Sequence, residues 1–159
     1  IDNFYVPAGG DIADPKANPK FAHKLQFIDE MTQHFLVNPP QRQILVGDLN
    51  IAPLAADVWS SKQLLKVVSH TPVETNALKT LIAAGGWHDA VRGYFGPDVK
   101  LYSWWSYRAR DWAASDRGRR LDHIWVSNDI IDAVEEVSIH RGLRGAEKPS
   151  DHVPVVISL

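Results

Sequence analysis

A layered, mixed α/β fold is what this sequence predicts, and three observations carry the prediction. Short apolar runs of strand length interleave with segments of helical periodicity. Ile44 to Val46, Ile124 to Val126 and Val155 to Ile157 each place apolar residues consecutively, which suits strands covered on both faces. The length of 159 residues suits one domain, able to bury ~70% of the surface its extended chain would expose.

Taken in order, Phe4-Tyr5-Val6 reads as a strand that enters the Pro7-Ala8-Gly9-Gly10 turn, and proline, aspartate and asparagine make the stretch up to Pro19 a loop. Asn18 caps a helix with Pro19 at its first position. Phe21, Leu25, Ile28, Met31 or Thr32, and Phe35 recur at three- and four-residue steps, which predicts an amphipathic helix over 19–37, ended by Asn38-Pro39-Pro40. Ile44 to Val46 forms a buried strand with Asp48 and Asn50 beyond its carboxyl end. Ser60 or Ser61 opens a short helix through Val68, and Thr75 to Ala84 makes another, closed by Gly85-Gly86. Further strands are expected over Leu101 to Trp105, Leu121 to Val126, Ala133 to Ile139 and Val153 to Leu159. No repeat or low-complexity tract interrupts the pattern.

Composition narrows the function classes. A net charge of -2 argues against a basic tail, so attraction to nucleic acid has to come from a local patch. The absence of cysteine removes disulfides and thiolate-bound zinc and suits a reducing cytoplasm. No apolar run approaches the ~18 residues of a membrane span, so a soluble protein is expected. The chain opens on Ile1, and Met31 is its only methionine, so the sequence is expected to be processed, cut or excerpted from a longer one.

Two strand-end clusters carry the chemistry: Gly47-Asp48-Leu49-Asn50, and Ser150-Asp151-His152 just before an apolar strand. Metal-assisted phosphoester hydrolysis needs hard oxygen ligands for magnesium or manganese, a group that orients and deprotonates water, and donors for charge developing on the phosphoryl oxygens. Asp151 offers a ligand, Asp48 a base, and Asn50 with His152 the donors. An imidazole of ordinary pKa, ~6.5, needs a carboxylate neighbour to stay charged at neutral pH, and Asp122 is the candidate. Taken singly, each residue also has a plainer reading: Asp48 and Asn50 as turn residues, Asp151 as a turn cap, Asp122 as a solvent-facing strand residue, Tyr5 as a half-buried strand aromatic. His23, His34, His70, His88, His123 and His140 show no metal-ligand spacing on a firm helix, which disfavours zinc.

A second constellation is Tyr102-Ser103-Trp104-Trp105-Ser106-Tyr107-Arg108, followed by Arg110, Trp112, Arg117, Arg119 and Arg120. From Tyr107 to Arg120 five arginines face two aspartates, a local +3 in an acidic chain. Arginine interleaved with aromatics suits phosphate clamping with base or sugar stacking; the alternative is a solvated loop whose tryptophans complete the core. Trp104 and Trp105 point to opposite faces of one strand, so one of them is expected to be exposed.

Tyr5-Val6-Pro7, Gly47-Asp48-Leu49-Asn50-Ile51-Ala52-Pro53, Tyr102-Ser103-Trp104-Trp105-Ser106-Tyr107-Arg108, Arg120-Leu121-Asp122 and Ser150-Asp151-His152-Val153-Pro154 resemble, in the same order, the later motifs of the exodeoxyribonuclease III and abasic-site endonuclease family. The resemblance implies part of a four-layer α/β sandwich of the endonuclease/exonuclease/phosphatase type, two sheets flanked by helices. It also implies magnesium-dependent cleavage of DNA phosphodiesters, with manganese as a substitute. Tyr5 would contact the phosphate or leaving oxygen, Asp48 would activate water or protonate the leaving group, and Asn50 would orient water and phosphate. Asp151, with Asp48 and Asn50, would hold the metal, and His152 would stabilise the phosphate with Asp122 behind it. Lys24 and Arg108 are implied contacts to the DNA backbone, joined by Arg119 and Arg120 of the basic segment, and Trp104 matches an aromatic lining the pocket for a base-free sugar.

Members of that family begin with an asparagine-bearing strand and a glutamate motif that supplies a principal metal ligand, and neither precedes Ile1. Residues 1–159 therefore resemble a single partial domain, the carboxyl-terminal portion of the fold with the amino-terminal portion absent, whose uncovered sheet face would favour self-association. The implied function is a cytoplasmic DNA-repair phosphodiesterase acting on double-stranded DNA at abasic sites or 3' ends, with no membrane partner. Two alternatives stand beside it: a catalytically deficient DNA-binding or structural remnant, and a phosphomonoesterase of the same superfamily.

Overall fold

A computed structural model describes residues 1–159. Along the chain run β1 (Asp2–Asn3), α1 (Pro19–Val37), β2 (Ile44–Asp48), α2 (Ser61–Leu64), α3 (Pro72–Gly85), β3 (Trp87–Asp89), α4 (Ala90–Phe95), β4 (Trp104–Trp105), α5 (Trp112–Ser115), β5 (Gly118–Arg119), β6 (Asp122–Ser127), β7 (Glu136–Ile139) and β8 (Val155–Ser158).

Helix α1 has the limits its periodicity predicts. The Asn18 side chain accepts from the Lys20 N–H at 3.1 Å, Pro19 fills the first turn, and Phe21, Ile28, Met31 and Phe35 are buried in its stripe. Helix α3, its packing partner, starts three residues before Thr75, because Thr71 and Glu74 cap each other around Pro72. That capping box was present in the sequence. Gly86 ends α3 at φ 61, a left-handed position that glycine adopts without strain.

The central sheet has the order β1-β2-β6-β3, with β1 parallel to β2 and the other pairs antiparallel. Residues i and i+2 of a strand share a face, so each strand serves two layers. Leu45 and Trp125 point to the helix layer, packed with Ile28, Phe35, Leu78 and Leu81. Ile44, Val46, Ile124 and Val126 point the other way, onto the β7–β8 ribbon through Val155 and Ile157. The consecutive apolar residues are thus explained: helices lie on one side of the sheet and a second, two-stranded layer on the other.

Several expected elements shift. The strand expected at 4–6 is assigned at Asp2–Asn3, although the chain stays hydrogen-bonded beside β2, Phe4 N–H donating to Val46 O at 2.9 Å and Val6 N–H to Asp48 O at 3.0 Å. The strand expected over 101–105 contracts to β4, that over 133–139 to β7 because residues 128–133 wind into a 3-10 turn, and that over 153–159 to β8. The helix expected through Val68 stops at Leu64. No counterpart was foreseen for β3, α4, α5 or β5, pieces of two to six residues that persist through tertiary contacts rather than local propensity. No helix is long and apolar enough to cross a membrane.

Candidate active site

Strands β2 and β6 pair so that Asp48 stands directly opposite Asp122. Two like charges facing across a ladder repel, so the position needs a cation. His152 lies between them and fills that role when protonated: its Nδ1 lies 2.8 Å from Asp122 Oδ2 and its Nε2 3.9 Å from Asp48 Oδ2. The hydrogen bond to Asp122 raises the His152 pKa above its ordinary value, against the opposing effect of partial burial. Burial raises the Asp48 pKa as well, and the Asp122 charge adds to it, while the Asn50 N–H and His152 pull it down. The result is a carboxylate tuned towards proton acceptance beside an imidazole tuned to hold its proton.

The bend after β2 presents these groups. Gly47 has φ 142, and a Cβ there would run into the Phe4 carbonyl, so the strand closes on β1 only with glycine at this position. Asn50 takes a left-handed φ of 52, a conformation its short side chain tolerates. Its N–H donates to Asp48 Oδ1 at 2.9 Å, and its amide nitrogen donates to Asp48 Oδ2 at 3.1 Å and to Val6 O at 2.9 Å.

Behind Asn50 sits Lys24, expected at the DNA backbone and found with 0% exposure. The correction has a clear cause: Nζ donates to Asn50 O at 2.8 Å and Ala8 O at 3.3 Å and pairs with Glu74 at 2.6 Å. Burial draws the Lys24 pKa down against the pull of Glu74. Glu74 in turn accepts from the N–H groups of Ser69 and Thr71 and the Thr71 hydroxyl. One buried ion pair therefore joins three loops that line the same cleft, and Lys24 acts from below the site, out of reach of DNA.

Arg120 requires the same correction. It is fully buried, bound to Asp57 and to Asp89, the latter at 2.8 Å, with Arg92 also on Asp57 and His123 3.2 Å away. The balance of charge shows in the acids: burial is the strongest single influence and pushes Asp57 and Asp89 up, yet both stay below the usual carboxylate range because Arg120 with Arg92 on the first, and Arg120 with His123 on the second, together outweigh it. His123 also reaches Ile51 O at 2.8 Å, so this network braces the strands that carry Asp48 and Asp122.

The cleft itself has a volume of about 680 Å³, and Tyr5, Asp48, Asn50, Trp59, Trp104, Arg108, Arg117, Arg119, Asp151 and His152 all line it. Tyr5 is 65% exposed at its mouth. Trp104 is bridged to His152 on one side and paired with Arg119 on the other, which puts three side chains in a row across short strands. Its indole N–H donates to Asp151 Oδ2 at 3.0 Å, and Arg119 lies over its ring at 5.3 Å. Trp105 turns inward at 1% exposure while Trp104 stays in the cleft, so the two tryptophans divide as the strand period requires. Of the candidate site residues, all but Lys24, Arg120 and Asp122 line this cleft, and Asp122 joins the group from behind through His152. Trp59 was not singled out, and Arg117 was read only within the basic segment, because the neighbours that give them a place in the cleft come from distant parts of the chain.

Asp48, Asp122 and His152 bring one ligand atom each within 4.8 Å of one another, a group able to hold a metal ion. Nδ1 of His152 is committed to Asp122, so the hard oxygens a cation would use are those of Asp48 within this group, with Asp151 and Asn50 lining the same cleft. That donor set fits magnesium or manganese better than zinc.

A family model described as the Endonuclease/Exonuclease/phosphatase family matches residues 12–152. The exodeoxyribonuclease III of Haemophilus influenzae is 30% identical over 98% of this chain and 59% of its own length. An AP endonuclease from Archaeoglobus fulgidus superposes with a TM-score of 0.87 at 28% identity, over 99% of this chain and 60% of that one. The Neisseria 3' phosphatase NExo, solved with a product DNA hairpin, gives 0.87 at 29% identity over 99% and 59%. The chain thus spans about 59% of the length of the first of these relatives. Ordered motifs, one cleft and a match over most of the sequence converge, and the chain belongs to the endonuclease/exonuclease/phosphatase family.

Proposed function

We propose that this chain carries the catalytic face of a magnesium-dependent DNA phosphodiesterase that cuts at abasic sites and trims 3' ends. The observation that carries the reading is the Asp48–His152–Asp122 group, of which Asp48 and His152 line a cleft walled by indole and guanidinium groups. Asp48, its pKa raised, takes the proton of the attacking water. Asn50 keeps the Asp48 carboxylate oriented, and because its amide nitrogen is spent on Asp48 and Val6, its amide oxygen is what remains to accept from the water. His152, held protonated by Asp122, donates to a phosphoryl oxygen as charge grows there. Tyr5 contacts the phosphate or leaving oxygen, Trp104 lines the pocket for the base-free sugar, and Arg108 and Arg119 meet the strand. A magnesium ion held by Asp151, Asp48 and Asn50 would supply charge neutralisation of the phosphate and a more acidic water.

A duplex with a single abasic site tests this. Cleavage that needs magnesium and disappears with chelator is the expected result; binding without metal-dependent cleavage would instead identify a DNA-binding remnant. Asp48→Asn and His152→Ala should each lower turnover by about 10²–10⁴-fold with little change in DNA affinity. A loss of affinity at unchanged turnover would remove both from the chemistry. A second reading, removal of a 3'-terminal phosphate, is favoured by the likeness to the Neisseria 3' phosphatase, and release of inorganic phosphate from a 3'-phosphorylated duplex distinguishes it.

A further inference from the structure

Beside the Trp104–Arg119 pair the cleft holds a second indole–guanidinium stack that the steps above do not use. The Trp59 backbone N–H donates to Gly118 O at 3.2 Å, which seats the residue next to β5, and its ring packs on the Val58, Leu64 and Leu121 cluster and against the Tyr102 and Trp105 cluster. The guanidinium carbon of Arg117 lies over that ring, 4.8 Å from its centroid. Arg117 is exposed, forms no ion pair with any acid of the chain, and lines the same cleft as Asp48 and His152.

We propose that Trp59 and Arg117 form a binding site for an unpaired nucleobase, belonging to the strand whose phosphate meets His152. The assignment rests on the nuclease reading above. A core-anchored indole holds the guanidinium in place, so little side-chain freedom is lost when a ligand arrives. The guanidinium lies over the indole face, and its delocalised plane is of the kind that stacks on a base. Its edge N–H groups remain free for the adjoining phosphate. An isolated phosphate would use only that edge and would gain nothing from Trp59, whereas a base uses the plane. The site therefore fits a nucleotide lifted out of pairing near the cut, as at a frayed 3' end.

The test is fluorescence-anisotropy titration of the chain with a labelled single-stranded oligothymidylate in which one thymine at a time is removed to leave a base-free sugar. One position should weaken binding by about five-fold or more when its base is absent. That position effect should vanish in Arg117→Lys, which keeps the charge and removes the plane at an exposed residue, and in Trp59→Ala. A position effect that survives Arg117→Lys overturns the proposal, as does binding in which no base matters, or binding of abasic duplex without binding of the single strand. Failure to bind either DNA removes the nuclease reading itself, and this site with it.

Discussion

His152 lies between two carboxylates, and its protonation is the most sensitive single-residue property of the cleft. Its folded pKa stands above the ordinary 6.5, so its protonation contributes stability that is complete below the unfolded value and lost as pH rises through the folded one. Asp122→Asn removes the first cause of that shift. NMR titration of the His152 ring should then give a lower pKa, and the decline of stability above pH 6.5 should flatten. An unchanged titration would mean that Asp122 does not hold the proton. From the sequence, an acidic neighbour for this imidazole could be sought and Asp122 picked out, but the 2.8 Å contact depends on the turn that brings residue 152 against β6. Lys24 was the reverse case: a lysine on a helix gives no local sign that it will be buried, because its partner Glu74 lies fifty residues away.

Elements differ in how far their own residues define them. Helix α1 is long, capped and periodic, and its limits follow from those features; β3, β5, α4 and α5 are too short to hold without neighbours and left no periodic trace. The clamp between α1 and α3 shows what such packing does for the site. Lys24→Met leaves Glu74 buried without a counter-charge and should cost about 3–5 kcal/mol in urea unfolding. Replacing Glu74 by Gln in the same chain removes the stranded charge and should restore much of that loss. If Lys24 met DNA instead, the single substitution would reduce the salt dependence of binding with little change in stability; the buried geometry predicts the opposite pattern.

Across the whole molecule, charge is partitioned more sharply than composition shows. Five arginines crowd the segment up to Arg120, yet Arg120 is neutralised in the interior, and Arg108, Arg117 and Arg119 are the ones that line the cleft. If these three meet phosphates, the log-log salt slope of duplex binding should be about −2.7, whereas engagement of all five would give about −4.5. Titrations at several salt concentrations separate the two. The amino-acid sequence by itself determined the fold class, the main strands, helix α1 and the family, because apolar periodicity, caps and ordered motifs are local and survive without coordinates. Which charges face the cleft and which brace it from beneath was decided only by tertiary structure, because burial and ion pairing depend on partners that chain order does not bring together.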